Sequence, residues 1–244
     1  MQQNTFPVIL EESYMITPKV KHFIFKCNLS PSFTFQAGQF ITVHFEHNGK
    51  NIKRSYSLAN EPKQDNRIEF AAGYFQNGPG TEYLYGLKPG DTIFINGPFG
   101  RLTLKDETPG RYILVATSTG TTPYRAMINQ LKERLRQNPE LSIVILQGVQ
   151  KRNEILYATD FQNFAHEYPQ VTFRPYLSRQ QLEDVKDDEH YGYVQHAFPG
   201  LNLNPERDVV YLCGNPGMID DAFNYLKEQG FTIQHIIREK YISS

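Results

Sequence analysis

Two hydrophobic periods divide the chain. Up to about residue 105, apolar and β-branched positions alternate with polar ones in short runs: KHFIFKCNL, QFITVHFEH, RIEFAAGYF and DTIFING. Glycine and proline punctuate them in AGQ, NGPG, KPGD and NGPFG. Short strands at regular spacing with turn signals predict an antiparallel β-barrel or sandwich. Within it, TEYLYGL after NGPG predicts one small helix. In NIKRSYSLAN, strand alternation puts Arg54 and Tyr56 on one face, and Ser55 and Ser57 on the other.

From about residue 111 the period changes. RYILVAT, LSIVILQGV, VTFRPYL and DVVYLCG are short, nearly continuous apolar runs, as expected of strands buried on both faces. Helical patterns lie between them. Met127, Leu131 and Leu135 form the stripe of one helix, with Thr122 as its expected N-cap and Pro123 at its first position. Met218, Ala222 and Leu226 form the stripe of another, capped by Asn215 and stopped by Gly230. Strands alternating with helices predict a doubly wound α/β parallel sheet. The expected division is a barrel domain over residues 1–106 and an α/β domain over 107–244, with the boundary near KDETPG. The acidic DVKDDEH reads as a solvated loop.

Composition narrows the function classes. At 244 residues the chain is long enough for one large domain or two ordinary ones. A formal net charge of −1 lacks the basic field of a sequence-independent nucleic-acid binder. Two cysteines, Cys27 and Cys213, are too few for a disulfide framework or a four-cysteine iron–sulfur cluster within this chain, and no metal site is expected. No apolar run approaches the roughly 18 residues of a membrane span. MQQNTFPVIL shows no secretory pattern, so a cytoplasmic location is expected.

Three turns carry candidate chemistry. VATSTGTTPYR sets a glycine and hydroxyl residues between a strand and a helix opening at proline, where free N–H groups attract phosphate; it is equally an ordinary strand–helix turn. YLCGNPGM repeats that geometry, with Cys213 at the carboxyl end of a buried strand. NGPGTEYL sets Gly78, Gly80 and Thr81 before the short helix.

Together these elements resemble the ferredoxin–NADP reductase superfamily, over nearly the whole chain. Its R-x-Y-S is matched by Arg54-Ser55-Tyr56-Ser57 and its G-x-x-[ST]-x-x-L by Gly78, Thr81 and Leu84. Its [KR]-P-G-[DE] turn is matched by Lys88 to Asp91, and its G-P-x-G turn by Gly97 to Gly100. T-G-T-G-x-x-P reads Thr117-Ser118-Thr119-Gly120-Thr121-Thr122-Pro123, with Ser118 in place of the first glycine. C-G-x-x-x-M is matched by Cys213, Gly214 and Met218.

The resemblance implies a flavoenzyme of the bacterial ferredoxin–NADP reductase type. It would move electrons between NADPH and a separately encoded ferredoxin or flavodoxin, using FAD in preference to FMN, as a monomer. Arg54 would pair with the flavin phosphate and Tyr56 would pack against the flavin. Ser57 would place its hydroxyl near the hydride-accepting nitrogen, with Ser55 and Leu58 flanking. Gly78, Gly80 and Thr81 would line the flavin site. Thr119, Gly120, Thr121, Pro123, Gly214 and Met218 would line the nicotinamide-nucleotide site. Cys213, Glu239 and Tyr241 would join Ser57 as catalytic residues. A Ser-Arg pair, Ser178-Arg179, together with Arg152, would hold the 2′-phosphate of NADP. A free-flavin reductase, the reductase component of an oxygenase and a noncatalytic electron-transfer subunit stand as alternatives.

Overall fold

The computed structural model describes residues 5–30, 32–63 and 65–241. The first four residues of the segment read for a secretory signal therefore lie outside it. Two compact units result: residues up to Leu104 together with Thr122–Met127, and Lys105–Thr121 together with the chain from Ile128 onward.

The first unit is an antiparallel barrel. Its strands are β1 (Phe6–Thr17), β2 (Val20–Lys26), β3 (Phe40–His47), β4 (Lys50–Ser57), β5 (Arg67–Gly73) and β6 (Thr92–Phe99), ordered β4-β3-β6-β1-β2-β5. An antiparallel bridge between Leu58 and Phe70 joins the end of β4 to β5 and closes the sheet on itself. Alternation does what the pattern predicts: Ile41, Val43 and Phe45 of β3 and Phe23 and Phe25 of β2 are buried inside. The longest strand, β1, is not flagged by the sequence pattern. Its Val8 and Leu10 point into the core, but Pro7 and the Glu11–Glu12 pair interrupt the apolar alternation.

One short helix, α1 (Pro79–Gly86), lies where TEYLYGL predicts it. Leu84 is fully buried beneath it, and Tyr83 stacks on Phe45 with ring centroids 4.4 Å apart. The Tyr85 hydroxyl donates to the Ala72 carbonyl of β5 at 2.9 Å.

The second unit is a parallel sheet. Its strands are β7 (Arg111–Thr117), β8 (Ser142–Val149), β9 (Val171–Leu177), β10 (His190–Tyr191), β11 (Asp208–Gly214) and β12 (Ile236–Lys240), ordered β10-β9-β8-β7-β11-β12. The helices are α2 (Thr122–Gln137), α3 (Ala158–Glu167) and α4 (Pro216–Glu228). The chain winds outward from β7 through β8 and β9, then returns to the other side of β7 with β11. The carboxyl ends of β7 and β11 therefore flank the topological switch point, where open parallel sheets bind ligands.

Helix starts differ in a way the sequence does not reveal. Asn215 caps α4 as expected: its Oδ1 accepts from the Met218 N–H at 3.2 Å, and Gly230 follows the helix in a left-handed conformation, φ +85. Thr122 is not the cap of α2. A 3-10 turn over Ser118–Thr121 runs straight into the helix, Thr121 holds the cap position in helical geometry, and neither threonine hydroxyl caps a backbone N–H. The acidic run is also not wholly solvated, since Glu189 is buried. No helix among the described residues is long and apolar enough to cross a membrane.

Candidate functional site

In the first unit, the inward alternation of β4 brings Arg54 and Tyr56 against the start of α1. A Cβ added at Gly80 would stand 3.1 Å from the Tyr56 hydroxyl and 3.3 Å from Arg54 Cγ, so glycine is what lets the start of α1 cradle the two side chains this closely. Thr81 Oγ1 accepts the Phe75 N–H at 2.9 Å, and the Gly78 N–H donates to the Phe75 carbonyl at 3.0 Å, which fixes the loop ahead of the helix. Arg54 Nη1 donates to the Lys53 carbonyl at 2.8 Å. One face of Tyr56 stacks on Phe70, with centroids 4.8 Å apart, and burial pushes its phenol pKa up, so it stays neutral.

The remaining β4 candidates divide. Ser57 is buried at the end of the strand, opposite Phe40. Leu58 is fully buried core and carries the barrel-closing bridge. Ser55 is exposed, and its hydroxyl meets Thr42 Oγ1 at 3.1 Å on the face away from Arg54 and Tyr56. Sequence reading passes over Phe75, whose ring is 64% exposed between Gly73 and Gly78; an exposed aromatic flanked by glycines is the signal that was available.

In the second unit, the turns after β7 and β11 interlock backbone to backbone. A Cβ at Gly120 would lie 2.4 Å from the Cys213 carbonyl oxygen. One at Gly214, φ +120, would lie 2.4 Å from Thr117 Oγ1. The Asn215 N–H donates to that same Thr117 hydroxyl at 2.8 Å. Ser118 has φ +48, the left-handed region that glycine tolerates best. That is the physical reason for a glycine in the superfamily pattern, and the serine adopts the same backbone at a cost of about 1 kcal/mol.

Cys213 ends β11 with no exposed surface, in register with Glu239 of β12. Burial, and after it the Glu239 carboxylate, push its thiol well above the usual range, while a hydrogen bond with Tyr241 acts the other way. It is therefore a neutral thiol at physiological pH. The Tyr241 N–H donates to the Gly214 carbonyl at 2.8 Å, and its hydroxyl lies 3.5 Å from the Thr119 carbonyl. The structure thus gathers Thr119, Gly120, Cys213, Gly214, Glu239 and Tyr241 around one switch point. Thr121 lies beside them with a fully buried hydroxyl that has no hydrogen-bond partner among the described residues. Pro123 sits in the first turn of α2, and Met218, in the first turn of α4, packs into the apolar core.

The strand-end arginines are not equivalent. Arg179 is exposed and its side chain makes no hydrogen bond or ion pair among the described residues. Arg152 is already engaged, Nε to Glu189 Oε1 at 2.5 Å and Nη2 to Oε2 at 2.7 Å. Ser178 Oγ donates to the Val149 carbonyl at 3.3 Å.

These residues suit a flavin nucleotide in the first unit and a nicotinamide dinucleotide in the second. The Gly80 cradle adjoins an arginine and an aromatic ring, which match phosphate and a flat ring. At the switch point, glycine-tight turns at the start of α2 and the orphaned Thr121 hydroxyl leave polar groups for a dinucleotide.

Comparisons with known proteins agree with this division. Residues 7–104 match the oxidoreductase FAD-binding domain family and residues 114–223 the oxidoreductase NAD-binding domain family. The chain is 29% identical over 236 residues to a ferredoxin–NADP reductase of Azotobacter vinelandii, covering 86% of this chain and 85% of that one. It is 28% identical over 249 residues to ferredoxin–NADP reductase B of Sorangium cellulosum, covering 99% of each. In fold it superposes on a ferredoxin NADP+ reductase from Neisseria gonorrhoeae with a TM-score of 0.84 at 21% identity, over 98% of this chain and 99% of that one. The chain belongs to the ferredoxin–NADP reductase superfamily, the oxidoreductases that set an FAD-binding domain ahead of an NAD-binding one.

Proposed function

We propose that this chain takes reducing equivalents from NADPH and passes electrons singly to a small redox protein, ferredoxin or flavodoxin, as a cytoplasmic monomer with a domain boundary near residue 106. The observation that carries the reading is the convergence of Arg54 and Tyr56 on Gly80, a charge and a ring that match a flavin phosphate and its flat ring. FAD, when bound, supplies the link between two-electron and one-electron chemistry.

The chain's own residues bind, orient and exclude water. Arg54 meets the flavin phosphate with a permanently charged planar fork. Tyr56, held on Phe70 and kept neutral by burial, offers an apolar face rather than a charge. Ser57 supplies a buried hydroxyl at the end of the same strand. In the second unit, the interlock with the turn after β11 fixes the Ser118–Thr121 turn, so its leading N–H groups can receive a dinucleotide phosphate without rearrangement. Cys213, a neutral thiol without a water shell, gives a small soft surface for the nicotinamide edge, and Tyr241 fixes it by hydrogen bonding. NADPH is preferred to NADH because Arg179 offers an unpaired guanidinium that a 2′-phosphate satisfies with two parallel hydrogen bonds.

The test is the absorption spectrum of the purified protein, followed by anaerobic addition of NADPH or NADH. The expected result is a retained flavin band that bleaches with NADPH at lower concentration than with NADH. A colourless protein that binds neither FAD nor FMN on addition would remove the reading, and bleaching preferentially by NADH would remove its NADPH part. Loss of the flavin on a desalting column would favour a free-flavin reductase instead.

A further inference from the structure

The stretch from Glu183 to Glu189 carries five carboxylates, and Glu189 is the one that is buried, its side chain 4% exposed. Nothing in the binding of a nucleotide requires that. Its two oxygens take the Nε and Nη2 of Arg152 side by side, at 2.5 and 2.7 Å, and it also accepts the Lys186 N–H at 3.0 Å. Arg152 Nη2 reaches the Asp184 carbonyl as well. The bidentate hydrogen bond from Arg152 holds the Glu189 carboxyl below its usual range.

The same neighbourhood carries the cofactor turn. The Ser178 N–H donates to the Val149 carbonyl at 3.0 Å and the Arg179 N–H to the Gln150 carbonyl at 2.8 Å. The Arg152 N–H donates to Gln180 Oε1 at 3.3 Å. The loop after β8 and the loop after β9 are therefore laced together from both ends, with the Arg152–Glu189 pair as the only side-chain ion pair among these contacts. Charge separates the roles of the two arginines. A phosphate brought to Arg152 would meet the Glu189 carboxylate as a like charge. Arg179 has no such neighbour in hydrogen-bonding range.

We propose that Glu189 is a positioning residue for cofactor discrimination: by locking Arg152 it clamps the two strand-end loops together and holds the turn that presents Arg179 to a 2′-phosphate. The inference rests on the NADPH reading above. Arg152 is, on this view, part of the clamp rather than a phosphate ligand.

The test compares wild-type holoprotein with Glu189→Ala, Glu189→Gln and Arg179→Ala. Calorimetry measures binding of 2′,5′-ADP and of 5′-AMP, and steady-state assays measure KM for NADPH and NADH. In Glu189→Ala, affinity for 2′,5′-ADP should fall about tenfold, the loss expected when a charged hydrogen bond is misplaced. KM for NADPH should rise in parallel, while 5′-AMP affinity, KM for NADH, kcat and flavin content stay as in wild type. Glu189→Gln keeps one acceptor for Arg152 and should fall between the two; it carries the test alone if the alanine variant does not fold. Tighter binding of 2′,5′-ADP by either variant would overturn the proposal, since Arg152 would then be a ligand that Glu189 restrains. Equal losses for both nucleotides, or none, would overturn it too. If Arg179→Ala discriminates between the nucleotides and the Glu189 variants do not, the clamp fails and the NADPH reading stands. If wild type does not distinguish 2′,5′-ADP from 5′-AMP, both fall together.

Discussion

At the scale of the residue, the two units ask different things of their polar side chains. Arg54 is half-buried beside a cradle sized by Gly80, and its worth lies in charge. Arg54→Ala removes a charge-assisted contact worth roughly 1.5–3 kcal/mol. Flavin retention through desalting should drop while far-UV circular dichroism is unchanged; undiminished retention would show that Arg54 does not hold the phosphate. Cys213 works through position, being a buried neutral thiol that Tyr241 fixes. Cys213→Ala should slow flavin bleaching by NADPH about tenfold or more, as misplaced reacting atoms do. Stopped-flow traces that match wild type would reduce Cys213 to core packing. Both residues are singled out in the sequence because residue type and motif agree, and these variants test the roles proposed for them. Glu189 was not, since nothing in an acidic run says which carboxylate turns inward and finds an arginine.

At the scale of the element, helix starts show how far sequence reasoning reaches. Asn215-Pro216 reads as a cap and is one, because the asparagine side chain satisfies the Met218 N–H. Asn215→Ala should cost about 1 kcal/mol, the usual worth of such a cap. A chemical-denaturation midpoint equal to wild type would show that the interlock with Thr117 alone secures the start of α4. Thr122-Pro123 reads the same way in sequence and is not a cap, because the preceding 3-10 turn continues into the helix. Strands were legible wherever alternation was clean. The strand β1 was hidden by Glu11 and Glu12, both exposed where a register shift between Leu10 and Glu12 breaks the alternation, and the two-residue β10 is too short to leave any period.

At the scale of the whole molecule, net charge is near zero but particular charges are deeply placed. Glu69, on β5, meets His22 at 3.2 Å, Arg67 at 2.8 Å and Arg125 at 3.2 Å. Burial opposes its ionisation, yet the hydrogen bond and electrostatic pull of His22, with the guanidinium groups of Arg125 and Arg67, outweigh that, and its carboxyl is held down to about 2. A carboxylate whose folded pKa lies below its unfolded value, about 4.3, contributes stability that is present above the unfolded value. That contribution is lost as pH falls toward about 2. Glu69→Gln should therefore flatten the fall in melting temperature between about pH 4.5 and 2 relative to wild type. Parallel melting curves across that range would show that other carboxylates govern acid unfolding. The two-unit plan itself was legible from the change of period near residue 110. The inclusion of Thr122–Met127 with the first unit was not, because it arises from tertiary packing rather than from any local pattern.

The ends of the two sheets have a consequence for how the protein behaves among copies of itself. The bridge between Leu58 and Phe70 ties the end of β4 to β5. The parallel sheet does end, but one margin, β10, is only two residues long, and the other, β12, alternates Arg238, Glu239 and Lys240 along its outer half. A neighbouring strand seeking to extend the parallel sheet at β12 would meet a row of charges. Crowding should therefore leave this chain unaggregated by edge pairing while it is folded.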